Sequence, residues 1–107
     1  MEELEKSILI NELFDIYGDL LAKSQHKMIY LYYTLDLSLS EIAIQEGVSR
    51  NAVHDAIKKG VDSLYLFEKK LGILENRNKF NKKLKKLEKI LDNSNYQKVK
   101  EVFEEEE

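Results

Sequence analysis

Residues 38–59 read SLSEIAIQEGVSRNAVHDAIKK, and this stretch decides the fold. It opens with Ser38 and Glu41 at the spacing of a capping box, in which each side chain accepts a hydrogen bond from the backbone N–H of the other residue. Gly47 suits a sharp turn because glycine adopts positive φ without steric cost. Ser49 is a residue type that caps helices. The stretch therefore predicts two helices that meet at a tight turn.

The residue types within this stretch fit a helix-turn-helix motif. Such a motif needs a small residue where the second helix crosses the first, and Ala43 occupies that place, four residues before Gly47. The apolar contacts that hold the two helices together are assigned to Leu39, Ile42, Val48, Val53 and Ile57. A plain helical hairpin is the alternative. Because all of these positions agree in register, we favour the helix-turn-helix.

Helical periodicity continues on the N-terminal side of the motif. Residues 2–17 carry two adjacent apolar rows at helical spacing and predict a first helix. We expect Gly18 to end that helix in the left-handed conformation. Ser24 is then predicted to cap a second helix, over about residues 25–35.

On the C-terminal side the helix that follows Ser49 keeps an apolar stripe until Gly72, and Gly60 predicts a local bend in it. Apolar residues at steps of three and four then predict two more helices, separated by a break at residues 92–95. No strand pattern is present. The sequence therefore predicts an all-α helix bundle that contains a helix-turn-helix and carries a C-terminal helical extension.

Composition restricts the class of protein. The chain has 107 residues, enough for one modest core, and it contains neither proline nor cysteine. Disulfides, thiolate metal sites and cysteine nucleophiles are thereby excluded. The sequence shows no apolar run of membrane-spanning length and no signal-peptide pattern at its acidic N-terminus, so we expect a cytoplasmic protein without membrane insertion.

The net charge of −3 hides a strong asymmetry along the chain. Residues 1–76 hold eight Lys/Arg against thirteen Asp/Glu, a balance of −5, and residues 101–107 hold five acids and no base. Residues 77–100 hold nine basic residues against two acids, a balance of +7. We therefore predict a helix-turn-helix domain over 1–75 and a basic helical extension with an acidic tail over 76–107, either part of the same compact unit or a dimer interface.

The second helix of the motif supplies the candidate nucleic-acid-binding residues, since such helices present their first turns to base edges. Arg50 could pair with guanine and Asn51 with adenine, while Asp55 could accept from a cytosine amine. The lysines of this face suit phosphates. A solvated helix face is the alternative for each residue. The candidates are Ser49, Arg50, Asn51, His54, Asp55, Lys58 and Lys59.

A secondary basic strip lies in the extension, where lysines surround an apolar stripe. It is a helix with a solvated basic face, a phosphate-binding strip or a partner-binding helix, and a homodimer contact is a variant of the last. The strip comprises Lys79, Lys82, Lys83, Lys85, Lys86 and Lys89.

Catalytic chemistry finds no support in the sequence. There is no glycine-rich phosphate loop and no nucleophile–base pattern. His26 and His54 lack partners at metal-ligand spacing, so we expect no metal and no cofactor. Tyr30, Tyr32 and Tyr33 could form a stacking platform for single-stranded RNA, but aromatic residues at helical spacing favour the core or a dimer interface.

Three ordered motifs within residues 9–74 are similar to the YlxM family of bacterial helix-turn-helix proteins. The family motifs LFDFYG-LLT, D-SLSEIA and SRQAVYD-IKR read here from Leu13 to Gly18, from Asp36 to Ala43 and from Ser49 to Lys59. The chain departs from the last motif at Asn51, His54, Ala56 and Lys59, where the family has glutamine, tyrosine, often asparagine, and arginine. Lysine at the last of these lacks the bidentate fork of arginine.

The resemblance implies a likeness to the last DNA-binding region of sigma factors and a role in the signal recognition particle pathway, through the operon with which the family is associated. Two functions follow. The first is a nucleic-acid-binding regulator whose partner is DNA. The second is an accessory factor that binds the RNA or protein of the particle without reading a DNA sequence.

Overall fold

The fold is described from a computed structural model that covers residues 2–91 and 93–105. Over those residues it contains six α-helices and no strand, which confirms the all-α prediction. The helices are α1 (Glu3–Tyr17), α2 (Lys23–Ile29), α3 (Leu39–Glu46), α4 (Arg50–Leu71), α5 (Ile73–Ile90) and α6 (Asn93–Glu105).

The chain divides into two compact units, Met1–Leu74 and Glu75–Glu107. The predicted break at residues 92–95 is shorter than expected, because α6 already begins at Asn93. Asp92, within that break, and Glu106 and Glu107, at the end of the acidic tail, lie outside the described residues.

Gly18 does not take the left-handed conformation that we predicted for it. Its φ is −53°, and the chain continues as a 3₁₀ turn over Gly18–Leu20. A Cβ added to Gly18 would lie 3.2 Å from two ring atoms of Phe14. The glycine therefore allows the Phe14 ring to approach the backbone closely.

The second helix also differs from its prediction. Ala22, not Ser24, occupies the N-cap, and no side chain caps the helix. After Ile29 the helix widens into a π-helical turn, Tyr30–Thr34, in which the Leu35 N–H donates to the Tyr30 carbonyl at 3.0 Å. Asp36 then ends the segment with a φ of +57°.

The helix-turn-helix follows the local pattern of residues 38–59. Both bonds of the capping box are present, each 3.0 Å long between Ser38 and Glu41. Gly47 has a φ of +68°, and the Val48 N–H donates to the Ala43 carbonyl at 3.1 Å, as in a Schellman motif. Ser49 caps α4 by accepting from the Ala52 N–H at 3.0 Å.

The core of Met1–Leu74 forms around α4, which packs against α1, α2 and α3. Four positions of the α4 stripe are buried: Val53, Ile57, Val61 and Leu64. They share one cluster with the buried residues of the other helices, which are Ile10, Leu13, Tyr17, Met28, Ile29, Leu31, Ile42, Ala43 and Leu74. We predicted that Val48 would help to hold the two helices together, but it is 42% exposed and lies outside this cluster. Leu71, at the end of the α4 stripe, is also exposed.

At Gly60 the backbone of α4 lies close to side chains of α2. A Cβ there would lie 2.5 Å from Cδ1 of Ile29 and 3.2 Å from Cβ of Gln25. The helix runs through this position without interruption. The glycine is therefore required for helix packing, whereas the sequence suggested a bend.

A polar node connects the end of α1 to the junction of α4 and α5. The Tyr17 hydroxyl donates to Oε1 of Glu68 at 2.7 Å and accepts from the Ile73 N–H at 3.2 Å. Glu68 Oε1 also accepts from the Leu74 N–H at 3.0 Å. Burial, followed by the Glu68 hydrogen bond, raises the pKa of Tyr17 above 10.0, which keeps the hydroxyl protonated. The node satisfies two backbone donors in the first turn of α5.

The unit Glu75–Glu107 contains most of α5 and all of α6. The rings of Phe80 and Phe103 lie 5.3 Å apart in an edge-to-face arrangement. Leu84 and Leu87 are half-buried in the same unit. The apolar stripe predicted for this region is therefore partly covered within the unit.

We predict that Gly60→Ala destabilises the protein by about 1–3 kcal/mol, because the new methyl group overpacks a fully buried Ile29. Urea denaturation followed by circular dichroism measures the change. Lys70→Ala, an exposed substitution in the same helix, should change stability by less than about 0.5 kcal/mol. Helix propensity alone favours alanine over glycine, so a more stable Gly60→Ala variant would contradict the packing account.

We predict that Tyr17→Phe lowers the free energy of unfolding by about 1–2 kcal/mol, because the Ile73 N–H and Glu68 each lose a partner. Thermal and urea denaturation measure the loss. Tyr30→Phe is the matched control, since the Tyr30 ring is exposed. Equal stability of the two variants would show that the node contributes nothing.

Candidate nucleic-acid interface

The first three turns of α4 present an exposed polar face. All seven residues that the sequence singled out are exposed on it: Ser49, Arg50, Asn51, His54, Asp55, Lys58 and Lys59. Ser49 is committed to capping the helix, so its hydroxyl already has a backbone partner. The face is available because the opposite side of α4 is buried against the other helices.

Arg50 and Asn51 occupy the first two positions of α4. Both side chains are exposed at the end of the helix where backbone N–H groups point outward and the dipole is positive. An anion such as a phosphate is stabilised there, and the guanidinium and amide groups are the types that pair with base edges.

Lys59 forms an ion pair on the exposed face of α4. Nζ of Lys59 lies 3.0 Å from Oδ2 of Asp55, one turn earlier on the same exposed face. An exposed pair of this kind contributes little to stability, so the lysine can exchange its carboxylate for a phosphate at small cost. Asp55 reduces the positive charge of the face, and the pair was not predicted from the sequence.

Local bonds hold the first helix of the motif in place behind this face. Lys27 of α2 pairs with Glu46 at the end of α3, with 2.7 Å between Nζ and Oε1. At the other end the backbone N–H of Ser38, and then its hydroxyl, bind the carboxylate of Glu41 and lower the pKa of that group. Both ends of α3 are therefore tied down.

A groove of about 500 Å³ opens beside the exposed face. Its apolar lining residues are Leu39, Ile57 and Val61. The aromatic residues that line it are Tyr32, Tyr33 and Tyr65, and its charged or titratable lining residues are Glu3, Lys6, His54, Lys58 and Asp62. Sequence reasoning missed this groove because it forms between the start of α1, the π-helical turn and α4.

The three clustered tyrosines have different environments. Tyr32 and Tyr33 are half-buried and pack against the core, with their rings 4.9 Å apart and nearly perpendicular. Burial, together with the neighbouring Tyr32, Tyr65 and Glu3, raises the pKa of Tyr33 above 10.0. Tyr30 is exposed. The rings do not form one flat platform, and two of them support the core while lining the groove.

The six lysines of the secondary basic strip are exposed on α5. Nζ of Lys79 lies 3.4 Å from Oε1 of Glu75, one turn earlier. The arrangement is compatible with each of the alternatives that the sequence left open.

Two further observations concern the described residues. Among them no group of three or more histidine, aspartate or glutamate side chains could hold a metal ion. None of the helices within 2–91 and 93–105 is both long enough and apolar enough to cross a membrane.

The tight turn at Gly47, the burial of Ala43 in the core and the exposed face of α4 define a helix-turn-helix protein. Over residues 4–105 the chain matches the family UPF0122, described as "Putative helix-turn-helix protein, YlxM / p13 like". The chain belongs to this family, which confirms the resemblance seen in the sequence. Helix-turn-helix families typically comprise regulatory or binding proteins.

Relatives from several bacteria support this membership. A UPF0122 protein of Desulforamulus reducens is 44% identical over 92 residues, which are 86% of this chain and 76% of that protein. One of Lacticaseibacillus casei is 47% identical over 69% of this chain and 66% of its own length. One of Listeria welshimeri is 39% identical over 94% of this chain and 93% of its own length.

We predict that the capping box makes stability depend on pH. Since folding lowers the pKa of Glu41 below 4.5, its stabilisation is fully present above that pH and is lost as the pH falls through the folded-state pKa. Glu41→Gln keeps an acceptor but has no charge. The urea midpoint of the wild type should exceed that of Glu41→Gln near neutral pH, and the difference should shrink in acid. A difference independent of pH would contradict the assignment.

Proposed function

We propose that the protein is a nucleic-acid-binding regulatory protein that docks the first turns of α4 on its target. Arg50 and Asn51 read base edges, and Lys58 and Lys59 contact phosphates. The observation that carries the proposal is the exposed polar face of α4 on a helix whose other side is buried. Such a face is open and its helix is anchored to the core, as docking in a major groove requires.

The other polar residues of this face can also contribute to binding. His54 is exposed one turn after Arg50 and can donate to a phosphate or a base, and Asp55 can accept from a cytosine amine. Ser49 acts mainly by capping α4, which orients the first two residues of the helix. The roles of these residues differ, and Arg50, Asn51 and Lys58 are the ones whose loss should matter most.

The proposal also assigns a cellular pathway to the protein. From the family resemblance we infer that the protein acts in the signal recognition particle pathway in the cytoplasm, with DNA or the particle RNA as its target. This inference rests on the association of the family with that operon.

A second candidate function is an accessory factor that binds the particle without reading DNA. Two observations favour it. Residues 1–76, which include α4, carry a net charge of −5, and the Asp55–Lys59 pair places a carboxylate on the proposed reading face. Affinity for nucleic acid comes largely from phosphate neutralisation, which negative charge opposes. In this case the lysine strip of α5 supplies the contact with particle RNA.

A salt-dependent binding titration of the full chain against duplex DNA, particle RNA and particle protein tests both functions. We expect DNA binding that weakens steeply with salt, and a log–log salt slope that falls by about 1 in Lys58→Ala. Arg50→Ala and Asn51→Ala should each cost about 1–3 kcal/mol of discrimination between target and non-target sequences.

Lys70→Ala is the matched control for Lys58→Ala, because it removes an exposed lysine from the other end of the same helix. Specific DNA binding that survives both Arg50→Ala and Asn51→Ala would contradict the assigned reading face. Binding of particle RNA that is unchanged in those variants but lost in the double variant Lys82→Ala, Lys86→Ala would support the accessory factor instead. A pull-down that recovers neither particle RNA nor particle protein would remove that candidate.

A further inference from the structure

The groove between α1, the π-helical turn and α4 adjoins the reading face directly. His54 and Lys58, one turn apart on α4, belong to the exposed face and also line the groove. A nucleic acid that lies on α4 therefore passes the mouth of the groove. The groove volume of about 500 Å³ falls within the range of about 300–1,000 Å³ that is usual for small-molecule pockets.

The lining of the groove suits a planar aromatic group. Ile57 and Val61, both buried apolar residues, line the groove together with three tyrosines. Tyr32 and Tyr33 are held by their mutual edge-to-face contact and by the core, so little side-chain entropy is lost when a ring stacks on them. Stacking on aromatic side chains is the main way in which proteins hold unpaired bases.

The charged residues around the groove narrow the choice of ligand. Lys6 and Lys58 are cations that suit phosphates, while Glu3 and Asp62 are carboxylates that accept hydrogen bonds. Equal numbers of both signs do not attract a bare anion. They fit a nucleotide, whose phosphates pair with the lysines and whose base donates N–H groups to a carboxylate. Guanine offers two adjacent donors to a single carboxylate, N1–H and the exocyclic amine.

The backbone supplies an independent observation. The two consecutive tyrosines of the groove lie within the π-helical turn, Tyr30–Thr34. Such turns are rare and occur frequently at functional sites. Here the turn carries both neighbouring rings to the same groove.

We propose that this groove binds one unpaired guanine nucleotide of the nucleic acid that docks on α4. The proposal rests on the proposed nucleic-acid-binding function and adds a preference to it. A paired base cannot enter the groove, whereas a base in a bulge or loop reaches it at little cost in unstacking. The protein would then favour a target with an unpaired guanine over a continuous duplex.

The test compares three DNA hairpins, whose major groove admits a helix: a fully paired stem, the same stem with a bulged deoxyguanosine, and the same stem with a bulged deoxyinosine. Inosine lacks only the exocyclic amine of guanine. We expect the full chain to bind the guanosine bulge about tenfold more tightly than the paired stem. The inosine bulge should bind with intermediate affinity.

Three variants identify the groove as the origin of the preference. Tyr33→Ala should lose the preference for the bulge while retaining its affinity for the paired stem. Tyr33→Phe should keep the preference. Asp62→Asn, at an exposed position where folding is not in question, should abolish the difference between guanosine and inosine. Tyr30→Ala is the matched control, because Tyr30 lies in the same turn but does not line the groove.

Equal affinity of the wild type for all three hairpins would overturn the proposal, as would a guanosine preference that persists in both Tyr33→Ala and Asp62→Asn. If Tyr33→Ala loses binding of a particle protein but keeps its affinity for every hairpin, the groove belongs to a protein partner and the proposal fails. Failure of the proposed function looks different, since the wild type would then bind neither the hairpins nor duplex DNA at low salt.

Discussion

Burial of one side of α4 is the constraint on which the rest of the N-terminal unit depends. Val53, Ile57, Val61 and Leu64 place their side chains in the core, where α1, α2 and α3 surround them. Apolar burial of this extent is worth several times the energy of any surface ion pair in the molecule. Because a helix has one such face, the orientation of α4 about its axis is determined, and its polar residues are left on the outside.

The turn and the helix caps of the motif determine how the first turns of α4 are presented to solvent. Gly47 lets the chain turn sharply in the short segment between α3 and α4, and the caps at Ser38 and Ser49 satisfy backbone donors at the N-termini of these two helices. The first turns of α4 are therefore capped at their start and anchored to the core through Val53 and Ile57. In the proposed docking on nucleic acid, such preorganisation lowers the entropic cost, which offsets the acidic balance of residues 1–76.

The groove beside α4 is a consequence of the same packing. Tyr32 and Tyr33 of the π-helical turn line it together with Glu3 of α1 and with Ile57 and Val61 of the α4 stripe, while α2 packs closely on α4 at Gly60. The exposed polar face of α4 thus lies next to a groove lined by aromatic rings. The two surfaces share His54 and Lys58, so a single ligand can engage both.

The sequence by itself determined the all-helical fold, the helix-turn-helix over residues 38–59 and which residues of α4 lie outside, because caps, glycine turns and apolar periodicity act between residues one or two turns apart. Only the tertiary structure decided that Gly60 faces Ile29, that Tyr17 meets Glu68 and Ile73, and that three tyrosines line one groove. Gly60 and Ile29 are 31 positions apart, Tyr17 and Ile73 are 56 apart, and Tyr65 is 32 positions from Tyr33, so these contacts depend on how whole helices pack. The π-helical turn and the backbone of Gly18 were mispredicted for a related reason, since helical periodicity and glycine frequency do not reveal where a helix widens or tightens to fit its neighbours.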